Sequence, residues 1–326
     1  MINRALVVAI ALAASTAARG QNVPVAPGSF RDLGSVDKDT QTQDVRFTND
    51  GQNRMMVDVR LSGAGPYRFM VDTGADRTAI SRQLVDRLKF QQAGGAELHT
   101  VTGATPISTA RLPGVQITQK PERPVDAAVL DGPSMGADGI VGVDLLRSTR
   151  VELDFEHETM SIVPSSTPEP NKEAGAIVVE ARRKNGRLVI TDAVANGKPV
   201  TVILDTGAEL SIGNEALRQK LTGNNLIDPL RKVELESVTG QKLTGDYMFI
   251  RNLTIGGVGL ANLAIVFTDA HTFKQLGLDK KPALLLGMNA IRAFKKVSID
   301  FANRKFRVVI PEQSALETQL ASARVF

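Results

Sequence analysis

FMVDTGADRTAIS, Phe69 to Ser81, and VILDTGAELSIG, Val202 to Gly213, are two versions of one pattern within a single chain. Each runs from an apolar strand-like stretch into Asp-Thr-Gly-Ala, then an acidic residue, then a second apolar stretch. One Asp-Thr-Gly marks little more than a turn after a strand. Two, at equivalent points of a longer repeat, carry far more information.

The repeat extends outward on both sides. Before the first copy, Val57 to Leu61 leads through Gly63-Ala64-Gly65-Pro66 into Tyr67 to Val71. Before the second, Leu188 to Val194 leads through Asn196-Gly197 into Val200 to Leu204, with Asn-Gly a strong hairpin signal. After each copy the apolar spacing predicts a helix, over Arg82 to Leu88 and Glu215 to Leu221. Val-Thr-Gly then recurs at Val101 to Gly103 and Val238 to Gly240, between strand-like runs. DGIVGVDLL, Asp138 to Leu146, is echoed by LLLGMNAI, Leu284 to Ile291. VELDFEHETMSIV, Val151 to Val163, is echoed by VSIDFANRKFRVV, Val297 to Val309. Two long copies predict a mainly β protein of two lobes related by a pseudo-two-fold axis, with a few short helices. The boundaries expected are 44–164 for the first lobe, 165–174 for a Ser/Thr/Pro/Glu linker, 175–310 for the second lobe and 311–326 for a tail.

The duplication brings chemistry with it. A pseudo-dyad that carries Asp72 and Asp205 to one axis sets two carboxylates side by side, and like charges that close hold one proton between them. The ionised member serves as general base for a water and the protonated member donates to a peptide carbonyl oxygen, which is the chemistry of peptide hydrolysis. No metal or cofactor is called for. Thr73 and Thr206 have hydroxyls able to bond across the axis, and Gly74 and Gly207 permit a tight turn beside the carboxylates.

Composition narrows the field. There is no cysteine, which excludes disulfides, thiol nucleophiles and Fe–S clusters. The three histidines, His99, His157 and His271, show no ligand-like spacing, which argues against a zinc site or a serine–histidine triad. A formal charge of +4 over 326 residues, with dispersed basic residues and 4% aromatics, offers no nucleic-acid surface. Met1 to Arg4, the apolar Ala5 to Ala14 and the small residues Ser15 to Ala18 follow the layout of a secretory signal. Residues 1–20 are therefore expected to direct export, and 21–43 to form a polar leader.

At these residues the sequence resembles the aspartic peptidases, in particular the retropepsin-like group. DTGAD, Asp72 to Asp76, is similar to the retroviral form, and DTGAE, Asp205 to Glu209, is a near match. Ile140-Val141-Gly142 and Leu285-Leu286-Gly287 resemble the family segment that packs behind the catalytic loop. The likeness covers about Arg46 to Val309. It implies two β-barrel lobes in a single-chain, exported bacterial enzyme, periplasmic or secreted, in which a monomer suffices for an active site. It also implies Asp72 and Asp205 as the dyad, with Thr73, Gly74, Ala75, Thr206, Gly207 and Ala208 supporting the loops. Asp76 and Glu209 would contact substrate backbone, and flaps carrying Thr102, Gly103, Thr239 and Gly240 would cover a protein or peptide held extended.

Two departures matter. Retroviral relatives place Arg after the apolar-apolar-Gly element, where this chain has Val143 and Met288, leaving Asp76 and Glu209 without an evident brace. Ala75 and Ala208 replace the hydroxyl residues usual in pepsins, and Tyr67 and Tyr247 do not sit at a flap tip. Fewer donors to the ionised dyad predict a working pH from mildly acidic to near neutral. The competing reading is a pepsin-like shell of the cell envelope that binds peptides without cutting them. Degenerate shells of that kind commonly lose one aspartate; this chain keeps both.

Overall fold

The computed structural model describes residues 54–117, 123–168, 176–184, 187–222 and 231–311. Upstream it describes only the backbone of four short strands, Leu6–Val8, Leu12–Ala14, Asp44–Arg46 and Thr48–Asn49. The signal-like segment and the polar leader otherwise lie outside the described residues, as does the tail beyond 311.

Strands dominate, and the repeat is visible in the topology. In the first half, Met55–Leu61 alternates buried and exposed side chains after its first turn of chain, as a strand with one face on the core must. It pairs antiparallel with Ala64–Val71, Val57 opposite Phe69. The turn is tighter than the sequence predicts: it sits at Ser62 and Gly63, both at positive φ, and Ala64 to Pro66 already belong to the second strand. The Asn196-Gly197 turn falls as expected, both residues at positive φ, between Ala193–Ala195 and Lys198–Pro199.

The DTG loops are bracketed in the same way in both halves. Gly139–Val141 runs parallel to Phe69–Val71 on one side and antiparallel to Ala79–Ile80 on the other. Ala283–Leu286 does the same between Thr201–Leu204 and Ile212–Gly213. These strands are buried on both faces, which is why their sequences are continuous apolar runs. Helix α1, Arg82–Leu88, follows the first loop with Ser81 as its N-cap, its hydroxyl accepting from Leu84 N–H. Helix α2, Glu215–Thr222, follows the second, and Asn214 accepts from Leu217 N–H.

A six-stranded sheet joins the halves. From one edge to the other it runs Asp44–Arg46, Thr159–Pro164, Thr149–Asp154, then Lys296–Asp300, Lys305–Val309 and Ala176–Glu180. Three strands come from each half, and the seam is the antiparallel pairing of Glu152 with Ser298 and its neighbours. The start of the interlobe segment is fastened to this sheet: Ser165 Oγ donates to Asp300 Oδ1 at 2.8 Å, and Arg150 Nη1 to the Thr167 carbonyl at 2.9 Å. One long hairpin rises from each half. The first is Gln92–His99 with Ala104–Gln116, the second Arg231–Ser237 with Lys242–Ile255. No helix of the described residues is long and apolar enough to cross a membrane.

Candidate active site

The two DTG loops meet at the pseudo-two-fold axis. Thr73 N–H donates to Thr206 Oγ1 at 3.0 Å, and Thr206 N–H donates to Thr73 Oγ1 at 3.1 Å. Each hydroxyl then donates onward across the axis, Thr73 to the Leu204 carbonyl at 3.3 Å and Thr206 to the Val71 carbonyl at 2.9 Å. Both threonines are buried, so these bonds face little competition from water. They lock the relative position of Asp72 and Asp205, each one residue away.

The two aspartates are fully buried. Asp72 Oδ1 accepts from Gly74 N–H at 2.7 Å and Asp205 Oδ1 from Gly207 N–H at 3.1 Å. The remaining oxygens, the Oδ2 of each, are buried without a hydrogen bond among the described residues. Glycine is obligatory at position 74: a methyl group there would lie 2.7 Å from Asp205 Oδ1. The second carboxylate thus rests directly on the first loop. Gly142 and Gly287 are equally constrained, since a Cβ at either would strike the backbone of the catalytic loop, at Arg77 and Leu210 respectively. The apolar-apolar-Gly segments do pack behind the loops, with Val143 N–H donating to the Ala75 carbonyl and Met288 N–H to that of Ala208, both at 2.8 Å.

Electrostatics follow from this geometry. Burial, then the charge of Asp205, pushes the Asp72 carboxyl well above the usual carboxylate range. Burial pushes Asp205 up to about 7, against the opposing pull of the Arg187 guanidinium and loop N–H groups. As a pair they retain one proton into the neutral range.

Arg187 was not among the residues singled out from the sequence. Its side chain is fully buried, and its Nε lies 3.9 Å from Asp76 Oδ1. Its charge also acts on Asp72 and Asp205. A cation from the opposite lobe thus stands by Asp76 where Val143 offers none, as an ion pair without a hydrogen bond: among the described residues the three guanidinium nitrogens and Asp76 Oδ1 have no hydrogen-bond partner. Burial raises Asp76 to about 6 despite the guanidinium. The repeat held the signal: Arg54 opens MMVDV and Arg187 opens LVIT, each at the same distance ahead of its DTG. Arg54 is likewise buried and donates to the Met135 carbonyl at 3.2 Å. Asp144 and Asn289 were missed as well. Asp144 accepts from both N–H and Oγ1 of Thr78, at 2.9 and 2.8 Å. Asn289 Oδ1 accepts from N–H and Oγ of Ser211, at 2.9 and 2.8 Å. Each holds the strand that leaves the DTG loop.

The hairpins cross between the lobes. At the first tip, Thr100 N–H donates to the Gly103 carbonyl, with Gly103 at a φ of 155°. At the second, Ser237 N–H donates to the Gln241 carbonyl, with Gly240 at a φ of 76°. Thr102 Oγ1 donates to Gln241 Oε1 at 2.6 Å, so the tips touch. Val101 packs among residues of the second lobe, including Ile212 and Phe273, and Val238 among residues of the first, including Met70 and Met135. Thr239 is spent within its own tip, its hydroxyl 2.8 Å from Ser237 Oγ.

Of the apolar residues flanking the DTG loops, Phe69, Ile80 and Ile212 are fully buried core and line no cleft; Leu210 is partly buried. One grouping among the described residues, Asp154, Glu156 and His157, has metal-ligand spacing. Its carboxylates already pair with Lys296 at 3.4 Å and Lys295 at 2.8 Å on an exposed turn of the interlobe sheet.

A model of the aspartyl protease family matches residues 57–145 and 191–290, one segment in each lobe. No curated protein matches the chain.

Proposed function

Because the chain belongs to the aspartyl protease family, we propose that it is an endopeptidase in which Asp72 and Asp205 activate one water between them. The observation that carries this reading is the crossed threonine lock, which fixes two buried carboxylates from different lobes against each other. The ionised aspartate takes a proton from water as its oxygen bonds to the scissile carbonyl carbon. The protonated aspartate gives its proton to the carbonyl oxygen. Collapse of the tetrahedral intermediate breaks the C–N bond as a proton passes to the leaving nitrogen. The substrate is a protein segment held extended beneath both flaps, with Asp76 and Glu209 toward its backbone and Thr102, Gly103, Thr239 and Gly240 above it. The N-terminal layout supports export, and an exported or membrane-anchored protein as the target. Two DTG loops in one chain support a monomer as the active unit.

The test is hydrolysis of unfolded casein over a pH series, with and without pepstatin, by the wild type, Asp72→Asn and Asp205→Asn. Each substitution should lower the rate by roughly a hundred- to ten-thousandfold. A wild type no faster than the two variants leaves the peptide-binding shell in its place.

A further inference from the structure

The three histidines are scattered in sequence, yet two of them meet. His99, the last residue of the first flap's rising strand, lies with Nδ1 2.9 Å from Nε2 of His271, the first residue of helix α3, His271–Gln275. The rings are 6° from parallel with centroids 5.2 Å apart. At that separation and with nitrogens in hydrogen-bond contact, they lie nearly coplanar and edge to edge. Directly beside them, His271 N–H donates to the Val101 carbonyl at 2.8 Å. Val101 in turn is the flap residue buried in the second lobe. The contact therefore sits at the point where the first flap is fastened across the cleft.

We propose that His99 and His271 form a latch that positions the first flap over the dyad while one ring is neutral, and that protonation of both rings releases it. This rests on the reading of the hairpin as a substrate-covering flap. The chemistry is simple: one imidazole must donate and the other accept, and two imidazolium ions have only donors to offer. Double protonation also sets like charges in contact in a site that is largely covered, the His99 side chain being 13% exposed.

The surrounding charges decide how the latch responds. From the flap strand, Glu97 Oε2 stands 3.8 Å from His99 Nε2 and favours one added proton. From the second lobe, Arg187 disfavours it. On α3, Lys274 is already paired with Asp269 at 2.9 Å. Burial, aided by His271 and Arg187 and opposed by Glu97, lowers His99 below the ordinary histidine range. The closed contact is thus kept while either ring is neutral and lost only as falling pH places the second proton on the pair. The second flap has no such device. Where Val238 enters the first lobe, Gly240 lies against Ser134 and Glu236, and no histidine is present.

The absence of cysteine allows clean paired labelling. Spin labels at Ala104→Cys on the flap and Lys280→Cys on the second lobe read flap position by electron–electron distance, independently of hydrolysis. Between pH 8 and pH 5 the long-distance population should rise by about tenfold, from one lost hydrogen bond plus like-charge repulsion. Glutamine donates and accepts without titrating, so the label pair carrying His99→Gln with His271→Gln, or His271→Gln alone, should stay closed throughout. A wild-type distance that is constant from pH 8 to pH 5 refutes the latch. So does the same transition persisting in the glutamine variants. Casein hydrolysis on matched samples keeps the two ideas apart: cleavage without the transition removes the latch alone, and the transition without cleavage removes the peptidase reading alone.

Discussion

The two lobes repeat one backbone and differ in how they support the same loop. Behind the first loop stands a carboxylate, Asp144, accepting three hydrogen bonds from Thr78; behind the second stands an amide, Asn289. Asn289 also uses its Nδ2 to donate to the Ala264 carbonyl at 2.8 Å, a bond no carboxylate can make. Burial raises Asp144, and its bonds to Thr78 hold it down only in part. The shared geometry shows what the loop requires, namely an acceptor for two donors of the residue leaving it. The difference shows that a charge there is not part of the requirement.

Four perturbations test that comparison. The largest effect is expected at the cross-lobe brace. Arg187→Met leaves Asp76 buried without its cation and should cost about 3–5 kcal/mol at pH 8. Asp76 titrates near 6, so its charge is suppressed below that value and the loss should shrink at pH 5. Denaturant melts at the two pH values measure this; equal losses would mean Arg187 acts by packing. Next come the dyad variants in the folded state. Asp72 and Asp205 are both raised, so their folded state is favoured at low pH and that advantage is lost as pH climbs toward neutrality. Asp72→Asn should therefore raise stability at pH 8 by about 1–3 kcal/mol while slowing cleavage by roughly a hundred- to ten-thousandfold. The same titration puts the optimum of the wild type between mildly acidic and neutral; a pH–rate profile peaking near pH 2 would overturn it. Third, exchanging the supports should act in opposite directions. Asn289→Asp buries a charge and loses a donor, costing about 2 kcal/mol, whereas Asp144→Asn should be within about 0.5 kcal/mol of wild type or stabilising. The last contrast, smaller than the cost of Asn289→Asp, separates the helix caps. Ser81→Ala removes a single bond and should cost about 1 kcal/mol. Asn214→Ala should cost more, because Asn214 also donates to the Leu278 and Lys281 carbonyls at 2.8 and 2.7 Å.

Much of this is legible in the sequence. The DTG loops, helices α1 and α2 and both long hairpins follow from local pattern: strand periodicity, Asn-Gly and Val-Thr-Gly turns, apolar residues at helical spacing. What could not be read was contact between residues far apart in sequence. Arg187 reads as the first residue of an apolar strand, and only its reach to Asp76 in the other lobe gives it a role. His99 and His271 show no ligand spacing because their partnership is made by a hairpin crossing between lobes. Asp144 reads only as one residue of a repeated apolar segment, and its bonds to Thr78 depend on a strand threading back between two others. The Ser62-Gly63 turn was displaced because Gly and Pro in the following strand imitate a longer loop.

The sheet in which three strands of one half meet three of the other has a consequence for how the molecule can vary. Were the halves separate identical copies, every substitution near the axis would arrive in duplicate, and a histidine facing the cleft would stand opposite another from the same mutation. Fused, each change arrives singly. Lopsidedness such as a carboxylate on one side and an amide on the other then becomes accessible one step at a time, and dilution cannot part the halves.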